Sequence, residues 1–262
     1  MLDFTWLADP NAWVALATLT LLEIVLGIDN IVFLSILVDR LPVAQRKLGR
    51  TFGLGLAMLT RLLLLSIITW IVGLKATLFA IPIAPALWKM MPDAPAHAGM
   101  LGMTGRGLIL LAGGIFLIWK ATQEIHHKLE ASDESALPNK AASFAGVLVQ
   151  IALIDIIFSL DSVITAVGMA DHLSVMALAV IISVGIMMLA AAPIGNFVSR
   201  HPSVKMLALS FLILIGTALI AEGLHFEIPK GYIYFAMAFS LGVEMLNLRA
   251  RTRAAPPPAA EI

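Results

Sequence analysis

The chain has no cysteine, which excludes disulfides and thiolate metal sites and leaves the redox compartment open. Charge is scarce: 13% of the 262 residues are charged, with 17 acids against 17 Lys and Arg. Soluble domains carry about a quarter charged residues, and a chain of zero net charge offers nucleic acid no electrostatic footprint. Residues 1–11 include Asp3 and Asp9 but no Lys or Arg. That stretch lacks the basic n-region of a cleaved signal peptide, so the first helix is expected to be retained. What the chain has in excess is apolar: 60% hydrophobic residues and a mean hydropathy of +0.96. Several apolar runs reach about 18 residues or more, the length that crosses a bilayer.

The sequence therefore predicts an all-α, polytopic membrane protein with seven transmembrane helices and the lipid bilayer as its first partner. The helices fall at about 11–38, 51–72, 107–120, 143–169, 174–198, 204–222 and 231–248. Asp9-Pro10 reads as an N-cap and first-turn proline opening the first helix, and Pro193 is placed to kink the fifth. Between the second and third helices, residues 73–105 contain Pro82, Pro85, Pro92 and Pro95 yet stay apolar, as a segment lying partly in the membrane interface would. Residues 124–130 read as a polar loop and 251–262, with three consecutive prolines at 256–258, as a disordered cytoplasmic tail. Everything from 1 to about 250 forms one transmembrane domain. On one side of the predicted helices lie Arg40, Arg46, Lys47, Arg50, Lys120, Lys128, Lys140, Arg200, Lys205, Arg249, Arg251 and Arg253. The other side holds only Lys75, Lys89, Arg106 and Lys230. This asymmetry places the N-terminus outside and the C-terminus in the cytoplasm.

Two apolar segments carry acids where lipid would surround them. They read Glu23-Ile-Val-Leu-Gly27-Ile-Asp29-Asn30 and Asp155-Ile-Ile-Phe-Ser159-Leu-Asp161-Ser162. An ionised carboxylate at mid-membrane costs about 2.5–3.5 kcal/mol on insertion scales, so such groups are functional by default. The two motifs share acid, three apolar residues, a small residue, an apolar residue, Asp, then Asn or Ser. They sit on the first and fourth helices, which cross in opposite directions. That is the pattern of an inverted 3+3 repeat, about 11–121 and 143–223, with the helix at about 231–248 as an addition.

At 100° per residue, Glu23, Gly27 and Asn30 share a stripe, as do Asp155, Ser159 and Ser162. Asp29 and Asp161 lie about 9 Å further along the axis from Glu23 and Asp155 and off those stripes. In unbroken helices the two acids of one motif could not touch the same ion, so the site requires interruptions near Gly27 and Ser159, which would turn both aspartates inward and free backbone carbonyls. Glu23, Asp29, Asn30, Asp155, Asp161 and Ser162 would then converge as hard oxygen ligands suited to Mn²⁺, Mg²⁺ or Ca²⁺. The divalent ion is cargo, and no resident cofactor is expected. Arg61 stands ready as counter-ion or gate. Glu244 is balanced between an interfacial and a site-lining position. Four carboxylates and one arginine leave negative charge after a divalent ion binds, which permits proton coupling.

Blander readings stand beside these. The acids could cap helix breaks or satisfy buried hydrogen bonds, and His126-His127 on a charged stretch reads as a solvated linker. The 13 methionines scatter as core filling. A protease dyad of Asp29 and Asp161 is disfavoured because the residue before Asp29 is Ile28 rather than glycine, and no enzymatic role is expected. A transporter and an assembly or metal-delivery factor both remain open; the apolar, proline-rich outer segment favours the second.

EIVLGIDNI and DIIFSLDSVITA, with HPSVKMLALSFLILIG and PKGYIYFAMAFSLGVEMLNL, resemble the paired signatures of the TerC (tellurium-resistance C) family of integral membrane proteins. The resemblance covers nearly the whole chain. It implies a seven-helix protein of the bacterial inner membrane, linked to export of manganese and other divalent cations, to metal supply for exported proteins and to tellurite resistance. By motif it carries the candidate site onto Glu23, Asp29, Asn30, Asp155, Asp161 and Ser162. With little chain beyond the seventh helix, the cytosolic regulatory domains of longer relatives are expected to be absent. Tellurite resistance has no visible chemistry, since no thiol is present to ligate or reduce tellurium.

Overall fold

The computed structural model describes residues 5–67, 77–82, 100–130, 143–169, 172–226 and 228–254. Within the fourth helix, the side chains of residues 161 and 164–169 lie outside that description. The described residues form seven long helices, a four-residue 3-10 helix (Thr5–Ala8) and a two-stranded hairpin. The helices are α1 (Pro10–Val38), α2 (Val43–Ser66), α3 (Gly105–Glu130), α4 (Phe144–Met169), α5 (Leu173–Arg200), α6 (Pro202–Gly223) and α7 (Lys230–Ala254). All but α4 meet the length and apolarity of a membrane span over their described residues, and 144–160 of α4 is an apolar helical stretch. The chain is thus an all-α polytopic membrane protein.

Local chemistry sets the helix ends. Asp9 caps α1 by accepting a hydrogen bond from the Asn11 amide at 2.9 Å, and Pro10 fills the first turn, where its missing N–H is no loss. Three ends run past the apolar cores that define them in sequence. α2 begins at Val43, directly after Pro42. α3 continues to Glu130, so the polar loop expected at 124–130 is helix, with Ala121 and Glu124 buried on its inner face. α7 extends to Ala254, which corrects the disordered tail at its first residues; residues 255–262 lie outside the described set. Hydropathy falls in these stretches because the helices leave the bilayer, while helix formers such as Ala, Gln, Lys and Arg keep the backbone going.

Between α2 and α3 the described part of the proline-rich segment is a hairpin. β1 (Thr77–Pro82) pairs antiparallel with β2 (Met100–Thr104), with an irregularity between Thr77 and Phe79. β1 is exposed throughout, whereas Leu101 and Met103 of β2 pack on Leu108, Leu111, Leu224 and Phe226. The bundle end bearing this strand pair is termed the hairpin end. The opposite end carries Arg40, Arg46, Lys47, Arg200 and Lys205 and is termed the basic end.

The helices group into two bodies. In the first, α1 packs on α5 and α2 on α4, with α1–α4 and α2–α5 contacts closing the four-helix set. The second is the antiparallel pair α3–α6, with α7 on its flank. A Cβ on Gly114 would sit 2.5 Å from the Gly216 carbonyl oxygen, and one on Gly107 would sit 2.8 Å from that of Gly223. Only glycine lets the α3 and α6 backbones approach this closely, the small-residue packing that joins helices in lipid. α7 leaves Tyr232, Phe235, Phe239 and Leu246 exposed, a surface suited to lipid. Among the described residues, the helices of the two bodies meet through the lighter α1–α6, α3–α4 and α5–α6 contacts.

Candidate functional site

Three charges are buried where the helices of the first body cross. Arg61 of α2, Glu23 of α1 and Asp155 of α4 are 2–3% exposed. Arg61 Nη1 pairs with Glu23 Oε2. Its Nε and Nη2 donate to Asp155 Oδ1 at 3.2 and 3.0 Å. Asp155 Oδ1 also accepts from Asn30 Nδ2 at 3.3 Å. Its Oδ2 accepts from Thr60 and Ser159 hydroxyls at 3.1 and 3.3 Å. A buried charge is tolerable only when paired and hydrogen-bonded, and Asp155 meets that condition with five donor atoms. Arg61 is therefore the counter-ion of Glu23 and Asp155.

A cavity of about 750 Å³ opens from the hairpin end and stops at this cluster. Its floor includes Asp29, Asn30, Arg61 and Ser162, and its wall includes Leu110 of α3 and Leu219 of α6. Thr104, Arg106, Glu222 and His225 line the mouth, where Arg106 and Glu222 form an ion pair at 2.6 Å. His225 has φ 62, a left-handed turn that sets its Nε2 3.0 Å from the Gly102 carbonyl oxygen and pins β2 to the end of α6. The cavity lies between the two helix bodies. Asp29 is half-buried and has no hydrogen-bond or ion-pair partner among the described residues. Asn30 Oδ1 is buried without a donor.

Beyond Asn30 toward the basic end the space narrows to a void of about 20 Å³, lined by Asn30, Ala57, Arg61, Asp155 and Met187 among others. Met187 of α5 lies against the bare backbone of Gly27, its Sδ 2.2 Å from where a Cβ would stand. Leu34, Leu37, Ile151 and Val184 close the rest.

The expected helix interruptions are absent: α1 runs unbroken through Gly27 and α4 through Ser159. The physical reason is the width of the cavity. Asp29 and Asn30 are 100° apart on α1, yet both reach the same floor, so no break is needed to turn Asp29 inward. The six candidate ligands consequently divide. Glu23 and Asp155 hold Arg61, Asn30 bridges to Asp155, and Asp29, Asn30 and Ser162 line the cavity. Ser162 donates to the Ser159 carbonyl at 3.2 Å. The Asp161 side chain lies outside the described residues. Among the described side chains, no three of His, Cys, Asp and Glu gather closely enough to hold a metal ion. Glu244 accepts a hydrogen bond from Asn247 at 3.4 Å on α7 and is not among the residues that line either space. Two contributors escaped the sequence reading: Thr60, one residue before Arg61, and Met187, indistinguishable there from core methionines.

The chain matches the integral membrane protein TerC family over residues 8–256. It is 57% identical over 245 residues to the UPF0053 inner membrane protein YgdQ of Escherichia coli (strain K12), covering 94% of this chain and 96% of that relative. A UPF0053 protein of Haemophilus influenzae is 56% identical over 250 residues, 95% of this chain and 98% of its own. The UPF0053 inner membrane protein YoaE of Escherichia coli (strain K12) is 48% identical over 247 residues, which is 94% of this chain but 44% of YoaE. No solved structure matches. The inner-membrane names of these relatives agree with a bundle of membrane-length helices. A match running from α1 to the end of α7 exceeds what two shared motifs could produce, and the chain belongs to the integral membrane protein TerC family.

Proposed function

We propose that this protein is a transporter of divalent metal cations, with manganese as the leading cargo and export as its direction. The observation that carries this reading is the cavity that descends from the hairpin end and ends on Asp29, Asn30 and Ser162 in mid-bundle. An unpartnered carboxylate, a buried amide oxygen without a donor and a hydroxyl form a hard-oxygen landing for a divalent ion. Glu23, Asp155 and Arg61 supply a net negative charge behind it. Asp161 would complete the acidic set from α4. Met187, beside the void beyond Asn30, adds a softer thioether that shifts preference from Mg²⁺ and Ca²⁺ toward a transition metal. The carboxylates exceed the charge of one divalent ion even with Arg61 counted, which leaves room for proton exchange. No catalytic step is assigned.

An inverted repeat is part of the proposal. Exchanging α1 with α4, α2 with α5 and α3 with α6 turns the α1–α5 packing into α4–α2 and the α1–α6 contact into α4–α3. The same exchange relates Asn30 to Ser162, both on the cavity floor. With the Lys and Arg excess marking the cytoplasm, the cavity faces outward and the C-terminus lies inside.

The second reading is an assembly or metal-delivery factor for exported proteins. It is favoured by β1, an apolar strand with Leu78, Phe79 and Ile81 exposed, which would offer a contact surface. Thermal unfolding with and without Mn²⁺ separates the two readings. Saturation at 100 times Kd stabilises a binding protein by about 2.7 kcal/mol. The transporter reading expects that shift in the wild type and its loss in Asp29→Asn and Asp161→Asn. Shifts retained in both variants, with cellular function lost on shortening the hairpin, would favour the delivery factor instead.

A further inference from the structure

The two helix bodies part at the hairpin end and are tied at the basic end. The tie comes from two consecutive residues, Asp39 and Arg40, directly after α1. Asp39 Oδ2 receives Lys205 Nζ of α6 at 3.0 Å and the Ser199 hydroxyl of α5 at 2.9 Å. Arg46 Nη2 holds the Asp39 carbonyl at 2.8 Å. Arg40 pairs with Glu124 of α3, and Glu124 is also held by Lys120 at 3.3 Å. Glu124 and Lys120 are 7% and 6% exposed, deep for ionised groups, which stay buried only when paired. One short link thus grips both helices of the second body. The ion pair at the opposite end, Arg106–Glu222, instead joins α3 to α6 within that body.

We propose that Asp39 and Arg40 are the gate at the basic end, and that this structure is the state closed there. The α3–α6 pair is rigid, since its backbones meet at paired glycines, and it meets the first body lightly. Rocking of that pair closes the cavity and parts the basic end, and the pairs Arg40–Glu124 and Asp39–Lys205 break in the process. Paired charges give way to hydrated ones as that end wets, so the tie can be remade in each cycle. As a step in transport, this gate rests on the cation pathway proposed above; the opening itself does not require a cation.

The absence of native cysteine makes the opening directly measurable. Ala57 lines the small void below the site and is 6% exposed, so Ala57→Cys reports access from the basic end. Inside-out membrane vesicles without added metal are treated with a charged, membrane-impermeant thiol reagent. Labelling is expected to be slow with the tie intact. It should accelerate about tenfold or more in Glu124→Gln and in Lys205→Met, because a hydrogen bond to a charged group is worth on the order of tenfold in an equilibrium. The exchanged pair Arg40→Glu with Glu124→Arg, made together with Lys120→Glu so that the new arginine keeps an anionic neighbour on α3, should return the rate to its starting value, a rescue that general loosening of the fold cannot give. Lys47→Cys, on the exposed start of α2, should label equally in every background. Unchanged slow labelling in both single variants, or fast labelling in the exchanged pair, would overturn the gate. If Glu124→Gln accelerates labelling while added Mn²⁺ alters no rate, the gate stands and the cation reading falls.

Discussion

Replacing Arg61 by methionine tests whether the buried cluster is one electrostatic unit. Methionine keeps much of the aliphatic stem and removes the guanidinium, leaving Glu23 and Asp155 as carboxylates 3% exposed with no cation between them. Asp155 would lose two of its five donors and Glu23 its ion pair. Breaking a buried pair in this way costs about 3–5 kcal/mol. For a chain of this size that corresponds to a melting temperature lower by about 6–20 °C, at roughly 2–4 °C per kcal/mol. Intrinsic tryptophan fluorescence during thermal unfolding in detergent reads the shift. The triple variant Arg61→Met, Glu23→Gln, Asp155→Asn removes all three charges and should be more stable than the single one, since a neutral buried amide costs less than an uncompensated buried charge. An Arg61→Met protein that melts within about 2 °C of wild type, a shift worth under 1 kcal/mol, would refute the reasoning. So would a triple variant less stable than the single one.

Two further outcomes follow from packing and ligand chemistry. Gly114→Val places a branched side chain where even a Cβ lies 2.5 Å from the Gly216 backbone; it should lower stability by about 1–3 kcal/mol or more, and a melt equal to wild type would mean that α3 and α6 can separate freely. Met187→Leu conserves volume, so stability should change by less than about 1.5 kcal/mol, while competition between Mn²⁺ and Mg²⁺ should move about tenfold toward Mg²⁺. An unchanged competition ratio would confine Met187 to packing.

Much of the bundle was legible because the bilayer forces apolar runs of one length, and all seven runs became helices. Their ends were less legible. Residues 43–50, 121–130 and 249–254 carry charge because they leave the lipid, and hydropathy cannot distinguish a helix leaving the membrane from a loop. Glu124 shows the consequence: it read as part of a solvated linker, yet its burial against Arg40 and Lys120 belongs to tertiary packing. The acidic motifs pointed to residues that lie in the buried cluster and on the cavity floor, and Arg61 was visible as a counter-ion or gate. Which carboxylates it engages was not, because that depends on where α2 crosses α1 and α4. The expected breaks at Gly27 and Ser159 came from treating the site as a point. A cavity of about 750 Å³ accepts side chains from more than one stripe of a straight helix. Gly114 packs against Gly216, about a hundred residues away in sequence, and no local pattern names that partner.

Transport itself is tested most directly by Mn²⁺ flux into proteoliposomes containing the purified protein, compared with Asp29→Asn under the same gradient. Asp29 leaves no partner unpaired when neutralised, so the variant should keep its melting temperature. The account predicts saturable flux in the wild type, a loss of about tenfold or more in the variant, as removal of a charged ligand entails, and a response to an imposed pH gradient. Equal flux in the two proteins, or no flux above empty liposomes in either, would contradict it.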